Sequence, residues 1–272
     1  MLHKSIKLQI KIISRQKWFA LSIVVIYFFI IINYFKNLHD FYNFDISRMI
    51  HPMKMSLLNT YGKWGFYFMQ YLPLLLVIPA SFSFVKDKDN DTTIYLCSRF
   101  GKKIYYYGKI ISVFLMTFLA FAVPLFFEYL LNIITFPLNA IGDRTNYPSF
   151  DLYYLNLENR YLFSDLWKFN PYLYYFVFVI MFSFVVASFA TFALGLSMTP
   201  IFKYKILIFL PVYLLMTLFN GLGSVIGIRM NYTDYLMSFD SSEKIEQLYL
   251  IISVILLLVT VAVTKWKVSR DM

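Results

Sequence analysis

Six long runs of mainly apolar residues constrain the fold of this chain more than any other feature of its sequence. The hydrocarbon core of a bilayer is about 30 Å thick and an α-helix rises about 1.5 Å per residue, so roughly 20 mainly apolar residues cross it. Hydrophobic residues make up 60% of the 272 positions and charged residues 15%, and the runs lack the polar alternation of barrel strands. We therefore predict an all-α integral membrane protein with a single transmembrane domain over residues 1–272 and six membrane-spanning helices, at residues 18–35, 64–85, 110–131, 171–199, 206–228 and 247–264.

The distribution of basic residues predicts the orientation of these helices. With the N-terminus in the cytoplasm, the inner segments hold 16 of the 25 Lys and Arg residues but 4 of the 15 acidic residues. Because basic residues accumulate in cytoplasmic segments, we expect both termini, residues 86–109 and a short turn at Lys203 and Lys205 on the cytoplasmic side. Membrane lipids with anionic headgroups explain the net charge of +10, so we expect no nucleic-acid partner.

Residues 1–17 have the pattern of an amphipathic helix at the membrane surface. Ile6, Ile10 and Ile13 fall on one helical face, and basic residues recur at spacings of three and four, at Lys4, Lys7, Lys11 and Arg15. An interfacial helix is predicted by this pattern. A basic anchor that only fixes the topology would use the same residues, so both interpretations stay open.

Three of the apolar runs carry residues that affect helix packing or continuity. Pro73 and Pro79 lie in the second run, where they are expected to kink or loosen the helix. The fourth run contains small residues that permit close packing, either inside the bundle or between subunits. The end of the fifth run is rich in glycine over residues 220–227. Because glycine weakens helices, that segment allows either a re-entrant outer element before the last helix or a frayed helix end.

Few residues are suited to chemistry. Glu128, in the third run, is a candidate intramembrane polar site, although its place near the outer end of the helix favours contact with water. His39 and His51 lack further ligands at metal-binding spacing. Cys97 is the only cysteine, which excludes an internal disulfide. We therefore expect no metal in this chain.

Two ligand-binding motifs fail within residues 86–109. Three alternating aspartates match the start of a calcium loop, but Thr92 and Ser98 stand where glycine and glutamate are required. Gly108-Lys109 matches the tail of a phosphate-binding loop, but the upstream glycine and the following Ser or Thr are missing. The motifs of hydrolases are also missing. These failures predict a non-catalytic chain with no cofactor of its own.

Residues 86–109 form the long polar segment between the second and third runs. An acidic cluster comes first, a short run of mixed polarity follows, and basic residues follow a turn at Phe100-Gly101. We predict a short helix over residues 92–98 with Asp89 and Asp91 capping its N-terminus, since carboxylates there offset the helix dipole. Alternatively, residues 86–109 are only a solvated connector whose basic residues keep it on the cytoplasmic side.

This segment resembles the coupling loop of the type-2 permease family of ABC transporters. In that family the loop carries an acidic residue, Gly-Thr, a short coupling helix, Ser-Arg with nearby basic residues, and a lysine that opens the next span. The matching positions here are Asp89 or Asp91, then Thr92, the 94–97 run, Ser98-Arg99, Lys102-Lys103 and Lys109. The sequence departs from the pattern where Asp91 stands at the glycine position, where aspartate replaces glutamate, and where Phe100 replaces a frequent proline.

The resemblance implies a permease subunit that pairs with a separate cytoplasmic ATP-binding subunit and with a second permease copy, identical or paralogous. ATP would then bind the partner subunit. The expected substrate is hydrophobic or amphipathic, such as an antimicrobial peptide, a drug or a lipid-like compound. The residues expected to couple to the ATPase are Asp89, Asp91, Thr92, Thr93, Ile94, Tyr95, Leu96, Cys97, Ser98, Arg99, Lys102 and Lys103.

One alternative function is a motorless membrane protein, for immunity or signalling, that binds a peptide without transporting it. An ion-coupled carrier would need midplane charges and inverted repeats, which the sequence does not show clearly. The abundance of Ile, Phe, Tyr, Lys and Asn is typical of an AT-rich bacterial genome, so we expect a multi-pass protein of a bacterial cell membrane.

Overall fold

The computed structural model describes residues 1–43, 46, 49, 51–59, 63–79, 81–138, 161–199, 208–226, 236–238 and 246–270. Apart from a 3-10 helix at Pro52–Met55, the regular elements named here are α-helices. They are α1 Leu2–Ser14, α2 Lys17–Phe41, α3 Lys63–Val77, α4 Ser83–Asp89, α5 Thr92–Phe100, α6 Lys102–Thr135, α7 Ser164–Phe169, α8 Pro171–Ser197, α9 Phe209–Ile226 and α10 Glu246–Arg270.

Four of these helices are long and apolar enough to cross a membrane. They are α2, α6, α8 and, within α10, the stretch Ile251–Arg270. The helix α9 covers most of the fifth predicted run and continues through Gly221 and Gly223 to Ile226, so these glycines do not end it. The predicted turn at Lys203 and Lys205 and most of the segment after Ile226 lie outside the described residues.

The second predicted span, residues 64–85, is not one helix. It is divided into α3 and α4 by a turn that contains Pro79, while Pro73 lies inside α3. Proline lacks the N–H that a helix requires at this point, and its ring collides with the preceding turn. Ser81 in the turn donates a hydrogen bond of 2.8 Å from its hydroxyl to the Ala190 carbonyl of α8. The expected loosening is therefore a complete break, fixed by a side-chain contact to the neighbouring helix.

The helix α8 is the centre of the bundle. It packs against α6 and α10 most extensively, and also against α3 and α9. Its start is fixed by Asn170, whose side-chain oxygen accepts hydrogen bonds from the N–H groups of Tyr172 and Leu173. Pro171 occupies the first turn, where its missing N–H costs nothing. Its small residues are buried inside this bundle, namely Ala187, Ser188, Ala190, Thr191, Gly195 and Ser197. In this chain they serve packing within the bundle.

We predict that Gly195→Leu loosens the contact between α8 and α10. A Cβ atom at Gly195 would lie 3.2 Å from Thr260 Cγ2 and 3.4 Å from its Cα, so a larger side chain forces the helices apart. Overpacking of this kind costs about 1–3 kcal/mol, which should lower the thermal midpoint of the detergent-purified protein. Leucine at the neighbouring, half-buried Phe192 is the control, and equal midpoints for the two variants would contradict the prediction.

The helix α1 is confirmed, but its buried face is not the apolar face expected from the sequence. Ser5, Gln9 and Ile13 are buried, whereas Ile6 and Ile10 are only half-buried. Gln9 Nε2 donates to the Tyr105 carbonyl at 3.1 Å, and a Cβ at Gly108 would lie 2.8 Å from Ser5 Oγ. A polar stripe therefore holds α1 against α6, and the basic residues Lys4, Lys7, Lys11 and Arg15 are exposed.

Three connecting segments meet at one end of the bundle, and we call them together the cap: residues 51–59, 161–169 and 236–238. The Ser238 N–H donates to the Leu58 carbonyl at 2.9 Å, and the Leu162 N–H donates to the Ser238 carbonyl at 3.2 Å. Tyr161 stacks on Trp167 with ring centroids 3.9 Å apart. Within the cap, we call residues 51–59 the strap; nearly all of its side chains are buried.

His51 begins the strap as a neutral acceptor. Its Nδ1 accepts a hydrogen bond from the Met53 N–H at 3.2 Å, and its ring contacts Trp167 and Tyr172. Burial, with a smaller contribution from the charge of Lys54, lowers the pKa of His51 to about 4.

We predict that His51 makes stability depend on pH between about 6.5 and 4. In this window the unfolded chain binds a proton at His51 but the folded chain does not, so stability falls as the pH decreases. The thermal midpoint of the parent should fall across the window, and His51→Gln should flatten that fall. Identical slopes for the two proteins would contradict the assignment.

Candidate functional site

The candidate site is the compact segment from α4 to the start of α6, which we call the elbow, residues 83–103. Only Asn90 and Asp91 connect α4 to α5, and Gly101 alone connects α5 to α6. The helix predicted over residues 92–98 begins at Thr92 as expected and extends to Phe100. Because residues 102–109 already belong to α6, the predicted 24-residue loop is mostly helical. Any displacement of α5 must therefore move α4 and α6.

Both connections of the elbow depend on left-handed or related backbone conformations. Asp91 has φ +52° and Gly101 has φ +84°, in the region that β-carbon sterics disfavour for most residues. Glycine adopts this region without penalty, and aspartate is among the residues that tolerate it best. Asp91 stands where the coupling-loop pattern has glycine, and its backbone conformation is one that favours glycine.

A buried ion pair lies beneath α5. Lys109 Nζ on α6 is 2.5 Å from Asp87 Oδ2 on α4, and the two side chains are 0% and 4% exposed. The Tyr105 hydroxyl donates to the same oxygen at 3.0 Å, and the Asp87 carbonyl accepts from the Thr92 hydroxyl at 3.0 Å. Asp87 therefore connects α4, α5 and α6.

Asp91 does not have the capping role that the sequence predicts for it. It is the N-cap residue of α5 but makes no side-chain cap hydrogen bond. Asp89 lies at the exposed end of α4. The capping prediction is wrong for Asp91 because its left-handed conformation differs from the extended conformation of a typical N-cap. The acidic residue that organises the elbow is Asp87, two positions before Asp89.

The helix α5 presents an unusual outer surface. Leu96 is its one buried residue and belongs to the hydrophobic core. Half-buried side chains of this helix are Thr92, Thr93, Cys97 and Phe100. Ile94 and Tyr95 are 70% and 62% exposed, and Ser98, Arg99, Lys102 and Lys103 are exposed beside them. The residues expected to couple to an ATPase therefore divide into an inner set that holds the helix and an outer set that is accessible. Two large apolar side chains within a basic rim are typical of a protein contact.

Glu128 occupies the opposite part of α6 and does not reach water. It is 1% exposed, which corrects the expectation that it lies at the aqueous interface. Its carboxylate accepts hydrogen bonds from the Leu57 N–H at 2.6 Å, from Asn33 Nδ2 at 3.2 Å and from the Tyr175 hydroxyl at 3.2 Å. Glu128 lies near the C-terminal end of α6, as its position in the sequence indicates, but the strap that covers it was not predicted.

The comparisons with known proteins identified no relative of this chain. No family model matches the sequence, and no match was found among curated proteins or among solved structures.

We predict that Asp87 and Lys109 stabilise the fold only as a pair. Lys109→Met leaves a buried carboxylate without a cation, which costs about 3–5 kcal/mol. The thermal midpoint should fall strongly for Lys109→Met and recover in part for the double variant Asp87→Asn/Lys109→Met. The matched control is Lys88→Met, an exposed lysine of α4, which should change stability by less than about 0.5 kcal/mol. A Lys109→Met protein as stable as this control would contradict the pairing.

Proposed function

We propose that this chain is the permease subunit of a type-2 ABC exporter, and that a separate cytoplasmic ATPase binds the outer surface of α5. In this proposal the chain crosses the cell membrane of a bacterium six times, with α3 and α4 together forming the second crossing and both termini in the cytoplasm. The observation that carries it is the construction of the elbow: an exposed two-turn helix, joined to two bundle helices by connections of one and two residues.

The chemistry of α5 supports a protein partner. Ile94 and Tyr95 offer apolar area that would be covered in the complex, and Arg99 with Lys102 and Lys103 offers positive charge to an acidic surface. ATP binds the partner subunit in this proposal, because the phosphate-binding motif at Gly108-Lys109 is incomplete. Gly108 instead lies against Ser5 of α1.

The buried ion pair supports a mechanical role for the elbow. When ATP closes the ATPase pair, it would press on α5, and the Asp87–Lys109 contact would keep α4 and α6 moving together. Rigid-body motion of these helices would shift the bundle between inward-open and outward-open populations. Two permease copies, identical or paralogous, would form the path for a hydrophobic or amphipathic substrate, such as an antimicrobial peptide, a drug or a lipid-like compound.

Affinity purification of the tagged chain from native membranes tests this proposal. We expect a nucleotide-binding subunit to copurify. The triple variant Arg99→Glu/Lys102→Glu/Lys103→Glu should lose it, because the reversed charges repel an acidic partner surface, while membrane insertion and thermal stability stay unchanged.

The matched control reverses three basic residues of α10, Lys265→Glu/Lys267→Glu/Arg270→Glu, on the same predicted side of the membrane. It should retain the subunit. Normal assembly and export by the first variant would contradict the assignment of α5, and recovery of no nucleotide-binding subunit by the parent would favour the motorless peptide-binding protein.

A further inference from the structure

The strap is held on the bundle by contacts that converge on Glu128. Its carboxylate receives one donor from the strap itself, the Leu57 N–H, one from α2, Asn33, and one from α8, Tyr175. Three separate segments of the chain therefore meet at one side chain of α6. All three groups donate hydrogen bonds to the Glu128 oxygens. A metal ion at this position would instead need oxygen or nitrogen atoms that act as ligands.

Two asparagines of α2 fix the strap on its other side. Asn33 Nδ2 and Asn37 Nδ2 both donate to the Met55 carbonyl, at 3.0 and 2.7 Å. Asn33 thus contacts the strap backbone and Glu128 at once. Leu57 follows the 3-10 helix of the strap and lies outside helical geometry, and a buried N–H without an acceptor is costly. Glu128 supplies this acceptor.

The apolar part of the strap does not by itself fix its position. Met53, Leu57 and Leu58 are at most 1% exposed, and such packing is non-directional. The hydrogen bonds to the Glu128 oxygens are directional. Gly65 of α3 lies directly behind the strap, where an added Cβ would collide with the Leu57 carbonyl and would lie 3.0 Å from the Asn59 carbonyl.

We propose that Glu128 is the latch that holds the strap closed over this end of the bundle, and that losing its acceptor oxygens exposes the strap to solvent. The neighbouring titratable side chains are otherwise engaged. Tyr129 of α6 stacks on Tyr175, and His51 and Lys54 of the strap contact Trp167. Lys36 of α2 pairs with Asp40. The proposal concerns the chain alone and does not depend on an ATPase partner.

Cysteine labelling measures the opening directly, because Cys97 is the only native thiol. In a Cys97→Ser background, Ser56→Cys places one thiol on the strap at a position that is 1% exposed. The probe is a water-soluble maleimide added to the purified full-length protein in lipid nanodiscs. Tyr42→Cys, at a position that is 85% exposed, gives the rate of a fully accessible thiol.

The expected order of labelling rates at Ser56→Cys is parent, then Glu128→Gln, then Glu128→Ala. Loss of three hydrogen bonds should raise the rate about tenfold or more in Glu128→Ala. Glu128→Gln keeps one acceptor oxygen but puts an NH2 donor in place of the other, so its rate should rise about threefold or more. It also serves as the deciding variant if Glu128→Ala does not fold.

Two control variants separate the latch from general loosening of the bundle. Gly65→Ala should raise the labelling rate by displacing the strap directly. Asn132→Ala removes a buried polar side chain one turn beyond Glu128 on α6, and it should leave the rate within about twofold of the parent, the change expected of a neutral site. Parent-like labelling in the Glu128 variants, or an equal increase in Asn132→Ala, would overturn the proposal.

Discussion

Each polar group that this bundle buries has to find its partner inside the protein, because lipid offers none. Backbone groups inside the long helices meet this condition through helical hydrogen bonds. Where a helix ends or is interrupted, a side chain supplies the missing contact. Where Pro79 breaks the second predicted span, the Ser81 hydroxyl contacts α8. Where α4 turns into α5, Asp87 and Lys109 neutralise each other. Where the strap leaves helical geometry, Glu128 accepts its free N–H. These three contacts therefore lie where a helix ends or is interrupted.

The helix α6 carries one buried polar contact near each of its ends, the Asp87–Lys109 pair and Glu128. Lys109 and Glu128 are 19 positions apart on α6, which corresponds to about 28 Å along its axis. The first contact fixes α6 to the elbow, and the second fixes it to the strap and to α2 and α8. A single helix thus connects the surface proposed for a motor with the segment proposed to close the opposite end.

Local sequence signals predicted the helices well, but not the contacts between them. The apolar runs located α2, α6, α8 and α10, and the run at residues 171–199 begins at the first residue of α8, because these features act within a few residues. The partner of Lys109 could not be read from the sequence, since three nearby aspartates were equivalent until the fold buried Asp87. Likewise, the strap has no periodic pattern, so nothing indicated that it would cover Glu128. The inward face of α1 was missed because Ser5 and Gln9 contact α6 at Gly108, a close approach that hydrophobic periodicity does not predict.

Pro124 lies inside α6, between its two anchored ends and one turn before Glu128. A proline removes one hydrogen bond from the helical ladder, here the bond to the Ala120 carbonyl, and its ring crowds the preceding turn. The helix is therefore expected to bend most easily in the turn between Ala120 and Pro124, where this bond is missing. A push from the elbow would arrive as a change of angle rather than as a displacement along the axis. This places the hinge of the longest helix directly beneath the side chain that carries the strap.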